Sequence, residues 1–154
     1  MFPLLLATVL ISTPLVPPIV KDAQSLYEYE RANFTYQTES KDRLSWNSPA
    51  ETVKNKGGNC ADFALYNEAV LKQLGYETQA MAIYGKQNGE VFFHAITVVK
   101  MENGKYKYFS NQFFSYYRDF EMIEDVINFE CPEWKWYSDI TWPNKFINKH
   151  IQTN

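Results

Sequence analysis

The sequence predicts a single α+β domain in which one well-defined helix is followed by antiparallel strands. Apolar residues with helical spacing lie between residues 59 and 75, and three β-rich segments come after them. An Asn-Gly pair at residues 103–104 is typical of the turn of a β-hairpin. The length of 154 residues suits one domain that buries about 70% of its unfolded surface, so the chain can form a sizeable core without crosslinks.

The composition excludes several classes of protein. Hydrophobic residues make up 45% of the chain and charged residues 21%, which is typical of globular domains and not of disordered or collagen-like chains. The net charge is -3 with no basic cluster, so we do not expect nucleic acid as a partner. Two cysteines, Cys60 and Cys131, are too few for a disulfide scaffold.

The first 20 residues contain no charged side chain, and the run ends abruptly at Lys21. Residues 4–11 have the length of the apolar core of a signal peptide, although no basic residue precedes them. Three prolines at positions 14, 17 and 18 argue against a straight membrane-spanning helix. A core strand and a false chain start are the remaining alternatives.

We therefore interpret residues 1–22 as a signal peptide or hydrophobic anchor and residues 23–154 as the folded domain. This interpretation predicts an exported or membrane-anchored protein, with membrane association through residues 2–20. A cytoplasmic location is the alternative.

Two short helices are expected before the main one. Residues 23–31 form the first. The second runs from Pro49 to about Lys54, because Ser48 suits an N-cap, Pro49 suits the first helical position, and Glu51 completes capping-box spacing.

The main helix has clear start and stop signals. Asn59 is a good N-cap residue, Asp62 follows three positions later, and Gly75 comes directly after the last apolar position. After it we expect three strands, a short helix and an irregular aromatic tail, at residues 78–84, 91–101, 106–109, 120–129 and 132–142, respectively.

Cys60 lies in the first turn of this helix, directly after Gly57-Gly58-Asn59. The backbone N–H groups and the positive end of the helix dipole favour a thiolate there, and the glycines permit close approach of a substrate backbone. A buried structural cysteine at a helix end is the alternative interpretation.

His94 is the candidate base for Cys60. It lies in the apolar segment 91–96, whereas the only other histidine, His150, lies in a polar C-terminal tail. A lone histidine in a strand is more often a hydrogen-bonded core residue, so the pairing with Cys60 carries the hypothesis.

Asn111 is the candidate residue that orients the imidazole of His94. The hairpin after His94 returns along residues 105–111 and brings Asn111 beside it, while a register slip of one residue would place Ser110 there instead. An uncharged amide suffices as the third member beside a Cys–His pair.

These motifs together resemble those of the bacterial transglutaminase-like cysteine proteinases. The residues that carry the resemblance are Trp46-x-Ser48-Pro49, Gly57-Gly58-Asn59-Cys60-Ala61-Asp62-Phe63-Ala64, Leu74-Gly75-Tyr76 and His94-Ala95-Ile96, followed by the hairpin to Asn111. The resemblance extends roughly from Phe34 to Gln112.

The resemblance implies a papain-like α+β core in which the nucleophile helix packs on an antiparallel sheet. It implies Cys60 as nucleophile, His94 as base and Asn111 as orienting residue in a hydrolase that cleaves peptide or amide bonds through a thioester. A protein or peptide substrate and no cofactor follow from this assignment. The alternatives are a non-catalytic binding domain on the same scaffold and an amine-transferring transglutaminase.

Two features of the family's site need separate treatment. Asn59 and Ala61 flank the nucleophile where relatives often have acidic residues and bind calcium, so we expect no metal here. For the oxyanion hole, the backbone N–H of Cys60 is one natural donor, and the weaker candidates are Trp46, Asn47 and Gln112.

Two questions stay open at this level. If the domain is exported, a disulfide between Cys60 and Cys131 would remove the nucleophile. The aromatic residues 113–117 and 134–137 can pack over the sheet as core or line a substrate cleft.

Overall fold

The structure is a computed structural model that describes residues 14–38 and 46–153. Its helices are α1 (Ala23–Asn33), α2 (Pro49–Asn55), α3 (Cys60–Gln73) and α4 (Ile123–Glu130). Its strands are β1 (Thr35–Tyr36), β2 (Gly57–Gly58), β3 (Thr78–Gln87), β4 (Glu90–Lys100), β5 (Tyr106–Ser110), β6 (Phe113–Phe114), β7 (Glu133–Thr141) and β8 (Lys145–Ile151). The α+β class predicted from the sequence is confirmed.

The helix starts follow the capping signals. The Ser48 side chain accepts the backbone N–H of Glu51, whose carboxylate in turn accepts the N–H of Ser48, so α2 begins with a complete capping box. At α3, the Asn59 side chain accepts the backbone N–H groups of Ala61 and Asp62. Both predicted N-caps are therefore confirmed.

Six antiparallel strands form one sheet in the order β6-β5-β4-β3-β7-β8. Helix α3 packs on one face, where Thr97 donates its hydroxyl to the carbonyl of Ala64 over 2.8 Å. Helix α4 packs on the other face, where Val126 and Ile127 share a core cluster with Ile96. Successive residues of β4 thus alternate between the α3 face and the α4 face.

The expectation of an irregular aromatic tail after Pro132 is wrong. Residues 133–141 form β7, which pairs with β3, and residues 145–151 form β8 at the edge of the sheet. Trp134 and Tyr137 are buried against α4, whereas Trp136 faces the α3 side. Trp134 and Tyr137 therefore pack as core on one face, whereas Trp136 lines a cavity on the other.

The folded part of the chain begins before residue 23. Val20 is 4% exposed and belongs to the core between α1 and α3, with Leu15 and Val16 packed against it. The predicted signal or anchor role of residues 1–22 falls largely on residues 1–13, which lie outside the described part of the chain. None of the described helices is both long and apolar enough to cross a membrane.

Candidate active site

Cys60 is the first residue of α3, as predicted, and only 3% of it is exposed. It belongs to a cluster on the α3 face of the sheet that includes Trp46, Ala82 and Ala95, with Phe93 packed against it. The helix N-terminus favours the thiolate form of a cysteine at this position. The small alanines of β3 and β4 let the start of the helix approach the sheet closely.

Asp62 ties the segment before α2 to the start of α3. Its carboxylate accepts the backbone N–H of Asn47 at 2.7 Å, the side-chain amide of Asn47 at 3.3 Å, and the backbone N–H of Asn59 at 2.9 Å. Burial raises the pKa of this carboxyl, and the hydrogen bonds from Asn59 and Asn47 oppose that rise. Asp62 therefore fixes the position of Asn47, and of Trp46 beside it, relative to Cys60.

The glycine pair before Cys60 is required by close packing. Gly57 has φ +133°, and a Cβ atom there would clash with the carbonyl of Thr35 in the neighbouring strand β1. A Cβ atom on Gly58 would clash with the side chain of Asp62. The glycines thus allow the Asp62 carboxylate to reach back over the start of α3.

We expect Asp62→Asn to lower the free energy of unfolding by about 1–2 kcal/mol, because one buried acceptor is replaced by a donor that faces other donors. Glu51→Gln is the matched control, since Glu51 holds the equivalent capping-box position at the exposed start of α2 and should cost much less. Urea unfolding of both variants measures the difference. Equal losses would contradict the bridging role of Asp62.

His94 lies in β4, as predicted, but its side chain projects to the α4 face. Its Nε2 atom is 2.7 Å from Ser110 Oγ and 4.0 Å from Glu130 Oε2, and Glu130 is the last residue of α4. Its ring also contacts Phe92 edge-on, with the centroids 6.0 Å apart. The imidazole is therefore enclosed between β5 and α4.

The structure does not bring Cys60 and His94 together. Ala95, the next residue of β4, lies in the Cys60 cluster, and β3 and β4 pair without a register shift from Thr78↔Val99 to Gln87↔Glu90. Side chains along a regular strand alternate, so His94 and Ala95 must point to opposite faces. The sheet itself separates the candidate nucleophile from the candidate base.

In this structure Ser110, and not Asn111, contacts the His94 ring. Asn111 follows β5 in a turn with φ +52°, a left-handed conformation that asparagine tolerates. Its Oδ1 atom is buried and has no hydrogen-bond partner among the described residues. Ser110 is the residue that a register slip of one position would place beside His94.

The surroundings of His94 favour the neutral imidazole. Burial lowers its pKa to about 4, because the ring would lose the hydration of its charged form. The Glu130 carboxylate does not offset this, since it lies 4.0 Å away and accepts the Tyr108 hydroxyl at 2.5 Å. At neutral pH, His94 is an uncharged hydrogen-bond partner of Ser110.

Two of the weak oxyanion candidates are occupied elsewhere. The Asn47 amide donates to Asp62, and the Gln112 amide donates to the carbonyls of Phe34 at 2.7 Å and Glu30 at 3.3 Å, which end α1. Gln112 therefore anchors α1 rather than serving the Cys60 site. Trp46 keeps its place beside Cys60, with its backbone N–H 3.4 Å from Asn144 Oδ1.

Cys60 and Cys131 do not form a disulfide, because they lie on opposite faces of the sheet. Cys131 is fully buried beside α4, with its sulfur 3.5 Å from the carbonyl of Lys86. Burial raises the pKa of its thiol. Cys131 is thus an inert counterpart to Cys60 within the same chain.

Sequence reasoning missed two contributors. Glu130 lies one residue beyond the short helix expected at residues 120–129, and no local pattern indicates that the end of α4 lies over His94. The bridge from Asp62 to Asn47 was also missed, although the carboxylate at the third helical position was recognised. Among the described residues, no three His, Cys, Asp or Glu side chains are grouped so that they could hold a metal ion.

Residues 18–113 match the family model of a transglutaminase-like domain, which is more than half of the chain. The protein therefore belongs to the transglutaminase-like domain family, and its fold has the helix α3 packed on an antiparallel sheet. Cys60, the glycine pair and His94 all lie within the matched residues.

Two solved structures of LapG from Legionella pneumophila are also similar, one of them calcium-bound. The first covers 80% of this chain and 67% of LapG, and the calcium-bound one covers 84% and 70%. Each has 16% sequence identity and a TM-score of 0.48. No curated protein sequence matches this chain.

Proposed function

We propose that this protein is a thiol hydrolase in which Cys60 attacks the carbonyl carbon of a peptide or amide bond. The observation that carries the proposal is a cysteine at the first position of α3, within the matched part of a transglutaminase-like domain. The helix N-terminus lowers the cost of forming the thiolate, and the Asp62 bridge holds Trp46 and Asn47 beside it.

The chemistry proceeds in two stages. The thiol proton passes to a base, the sulfur forms a bond to the carbonyl carbon, and the C–N bond breaks as the amine leaves with a proton. Water then adds to the thioester, its proton passes to the base, and the acid product leaves as the Cys60 thiol is restored. The backbone N–H groups at the start of α3 are the natural donors to the oxyanion.

His94 is the proposed base and Asn111 its proposed orienting residue, although in the arrangement described here the imidazole contacts Ser110. In the arrangement described here, the imidazole is on the far side of the sheet. The proposed activity therefore requires the His94 end of β4 to adopt a different arrangement. A one-residue bulge or slip at that end would turn the imidazole toward Cys60, because every side chain beyond it changes face.

A binding domain without catalysis is the second candidate function. The placement of His94 on the α4 face favours it, because a domain that only binds has no need of a Cys–His pair. The two candidates differ in whether Cys60 and His94 are chemically coupled in solution.

We expect Cys60 of the hydrolase to react with iodoacetamide at neutral pH at least about tenfold faster than Cys131, whose pKa burial raises. In the rearranged site the imidazole faces Cys60, and His94→Ala should then shift this reactivity toward alkaline pH, because the imidazolium that stabilises the thiolate is lost. Peptide mapping by mass spectrometry, with rates measured from pH 5 to 9, follows both cysteines in one sample.

Two further variants refine this test. Asn111→Ala should slow hydrolysis of a peptide library, because the proposed orienting residue is lost, whereas Ser110→Ala should not, because the imidazole leaves Ser110 when it turns toward Cys60. If Cys60 titrates like an ordinary thiol, His94→Ala changes nothing and no peptide is cleaved, the hydrolase is rejected and the binding domain is the better conclusion.

A further inference from the structure

Aromatic side chains line a cavity of about 350 Å³ on the same face of the sheet as Cys60. The lining residues are Trp46, Tyr84, Val91, Phe93, Trp136, Phe146 and Lys149. Ligand sites span about 300–1,000 Å³, so this cavity suits one side chain or a group of similar size. We call it the aromatic pocket.

The rings of the aromatic pocket hold one another in place. Tyr84 and Trp136 are stacked, with centroids 5.5 Å apart and planes inclined by 17°. Phe146 stands edge-on to Trp46 at 5.5 Å and to Trp136 at 5.7 Å. Such packing fixes the rings before a ligand arrives, which lowers the entropic cost of binding.

The aromatic pocket and Cys60 share a wall. Trp46 is 7% exposed and belongs to the same cluster as Cys60, with Phe93 and Trp136 packed against that cluster. Trp46 is also bounded on both sides, by its own contact with Asn144 and by the contacts of the following residue with Asp62. A group bound in the pocket is therefore held next to the nucleophile helix.

One charged side chain lines the aromatic pocket. Lys149 is exposed, and its Nζ atom lies 4.3 Å from the centroid of the Trp136 ring. Among the described lining residues, it is the only one with a formal charge at neutral pH. An anionic group next to a bound ring would meet this ammonium, so the pocket is complementary to an apolar ring with a neighbouring carboxylate.

We propose that the aromatic pocket binds an aromatic side chain of a peptide substrate, with the carboxylate of an adjacent Glu or Asp placed on Lys149. This inference rests on the proposed function, because it assigns the pocket to a substrate of the Cys60 site. It reaches beyond the family match, since Trp136, Phe146 and Lys149 lie outside residues 18–113.

The test uses Cys60→Ser, in which binding is measured without turnover. The probes are N-acetyl-Phe-Glu-amide, N-acetyl-Ala-Glu-amide and N-acetyl-Phe-Gln-amide, titrated by calorimetry. We expect the Phe-Glu peptide to bind at least about tenfold more tightly than Ala-Glu, because a buried ring removes much more apolar surface from water. It should bind a few-fold more tightly than Phe-Gln, as an exposed ion pair allows.

Two variants in the Cys60→Ser background locate the site. Lys149→Gln should remove the preference for Glu over Gln and keep the preference for Phe over Ala. Phe146→Ala should reduce the preference for Phe. If this variant does not fold, the three peptides and the Lys149→Gln variant, whose substitution is on the surface, still test the proposal. Equal affinities for Phe-Glu and Ala-Glu overturn the pocket, and an unchanged Glu preference in Lys149→Gln overturns the carboxylate assignment.

The outcome is independent of catalysis. Wild-type protein that leaves longer Phe-Glu peptides intact, while Cys60→Ser binds the short probes selectively, rejects the hydrolase and retains the pocket. Cleavage of library peptides without any selectivity for Phe rejects the pocket and retains the hydrolase.

Discussion

Replacing His94 with Gln is expected to remove a large part of the acid sensitivity of the fold. The pKa of His94 is about 4 in the folded protein and about 6.5 in the unfolded chain. Between these values the unfolded chain binds the proton and the folded protein does not, so stability is lost as the pH falls from 6.5 to 4. This window corresponds to about 3 kcal/mol in the free energy of unfolding.

The measurement is the difference between wild type and His94→Gln in urea unfolding from pH 4 to 8. Gln keeps a polar group near Ser110 but does not titrate. The free energy of unfolding of the variant, relative to that of the wild type, should therefore rise by about 3 kcal/mol between pH 7 and pH 4. His150→Gln is the matched control, because its side chain is exposed at the edge strand β8. If the variant instead loses stability relative to the wild type as the pH falls, Glu130 holds the imidazole of His94 in its charged form.

Replacing Glu30 with Gln is expected to stabilise the protein above neutral pH. Glu30 is fully buried in α1, and both carboxylate oxygens lack a hydrogen-bond partner among the described residues. The side chains of Tyr66 and Asn67 lie beside it, and the Asn67 amide lowers the pKa of Glu30 by less than burial raises it. Burial therefore raises the pKa of this carboxyl well above its usual range.

The sign follows from proton binding. At pH values above about 4.5 the unfolded chain releases the proton and the folded protein keeps it, so stability falls as the pH rises, by up to about 1.4 kcal/mol per unit. This fall continues until the pH reaches the folded pKa of Glu30. Glu30→Gln should remove this decrease of the free energy of unfolding with pH. Urea unfolding of the variant and the wild type at pH 6, 7 and 8 measures the effect.

Glu28→Gln is the control on the same helix, since Glu28 is exposed and accepts a hydrogen bond from Gln24 at 2.7 Å. It should leave the slope unchanged. A wild type whose stability is constant from pH 6 to 8 would mean that Glu30 has a charged or hydrated partner, and the account of its burial would then be wrong.

The local features of the fold could be predicted from the sequence. The starts of α2 and α3 depend on side chains within three residues of the N-cap, and both capping boxes occur where Ser48 and Asn59 indicated. The hairpin between β4 and β5 also depends on a short turn. Its Asn-Gly pair carries Gly104 at φ +80°, and the strands on either side pair as expected.

The geometry of the site could not be predicted in the same way. The β4 segment around His94 is apolar at both even and odd positions, because both faces of the sheet are covered by helices. No alternation therefore shows which face carries the imidazole. The choice between Ser110 and Asn111 depends on the hairpin register, which a slip of one residue reverses.

The strands β7 and β8 were missed for a different reason. Strand β7 pairs with β3, which is about fifty residues earlier in the chain, and such pairing leaves no local trace. Pro132 and four aromatic residues between positions 134 and 142 obscured the two-residue period. Trp136 and Phe146 lie on these two strands, so their place in the aromatic pocket could not be predicted from the sequence either.

The ends of the six-stranded sheet bear on how this protein behaves at high concentration. One end is β6, which is only two residues long, and the other is β8, whose seven residues are all exposed and include Lys145 and Lys149. A very short strand offers little backbone for a neighbouring molecule to pair with, and lysines on an edge repel a second copy of the same edge. Strand β8 also exposes Phe146, Ile147 and Ile151, so the lysines oppose pairing at an edge whose apolar side chains would otherwise favour it.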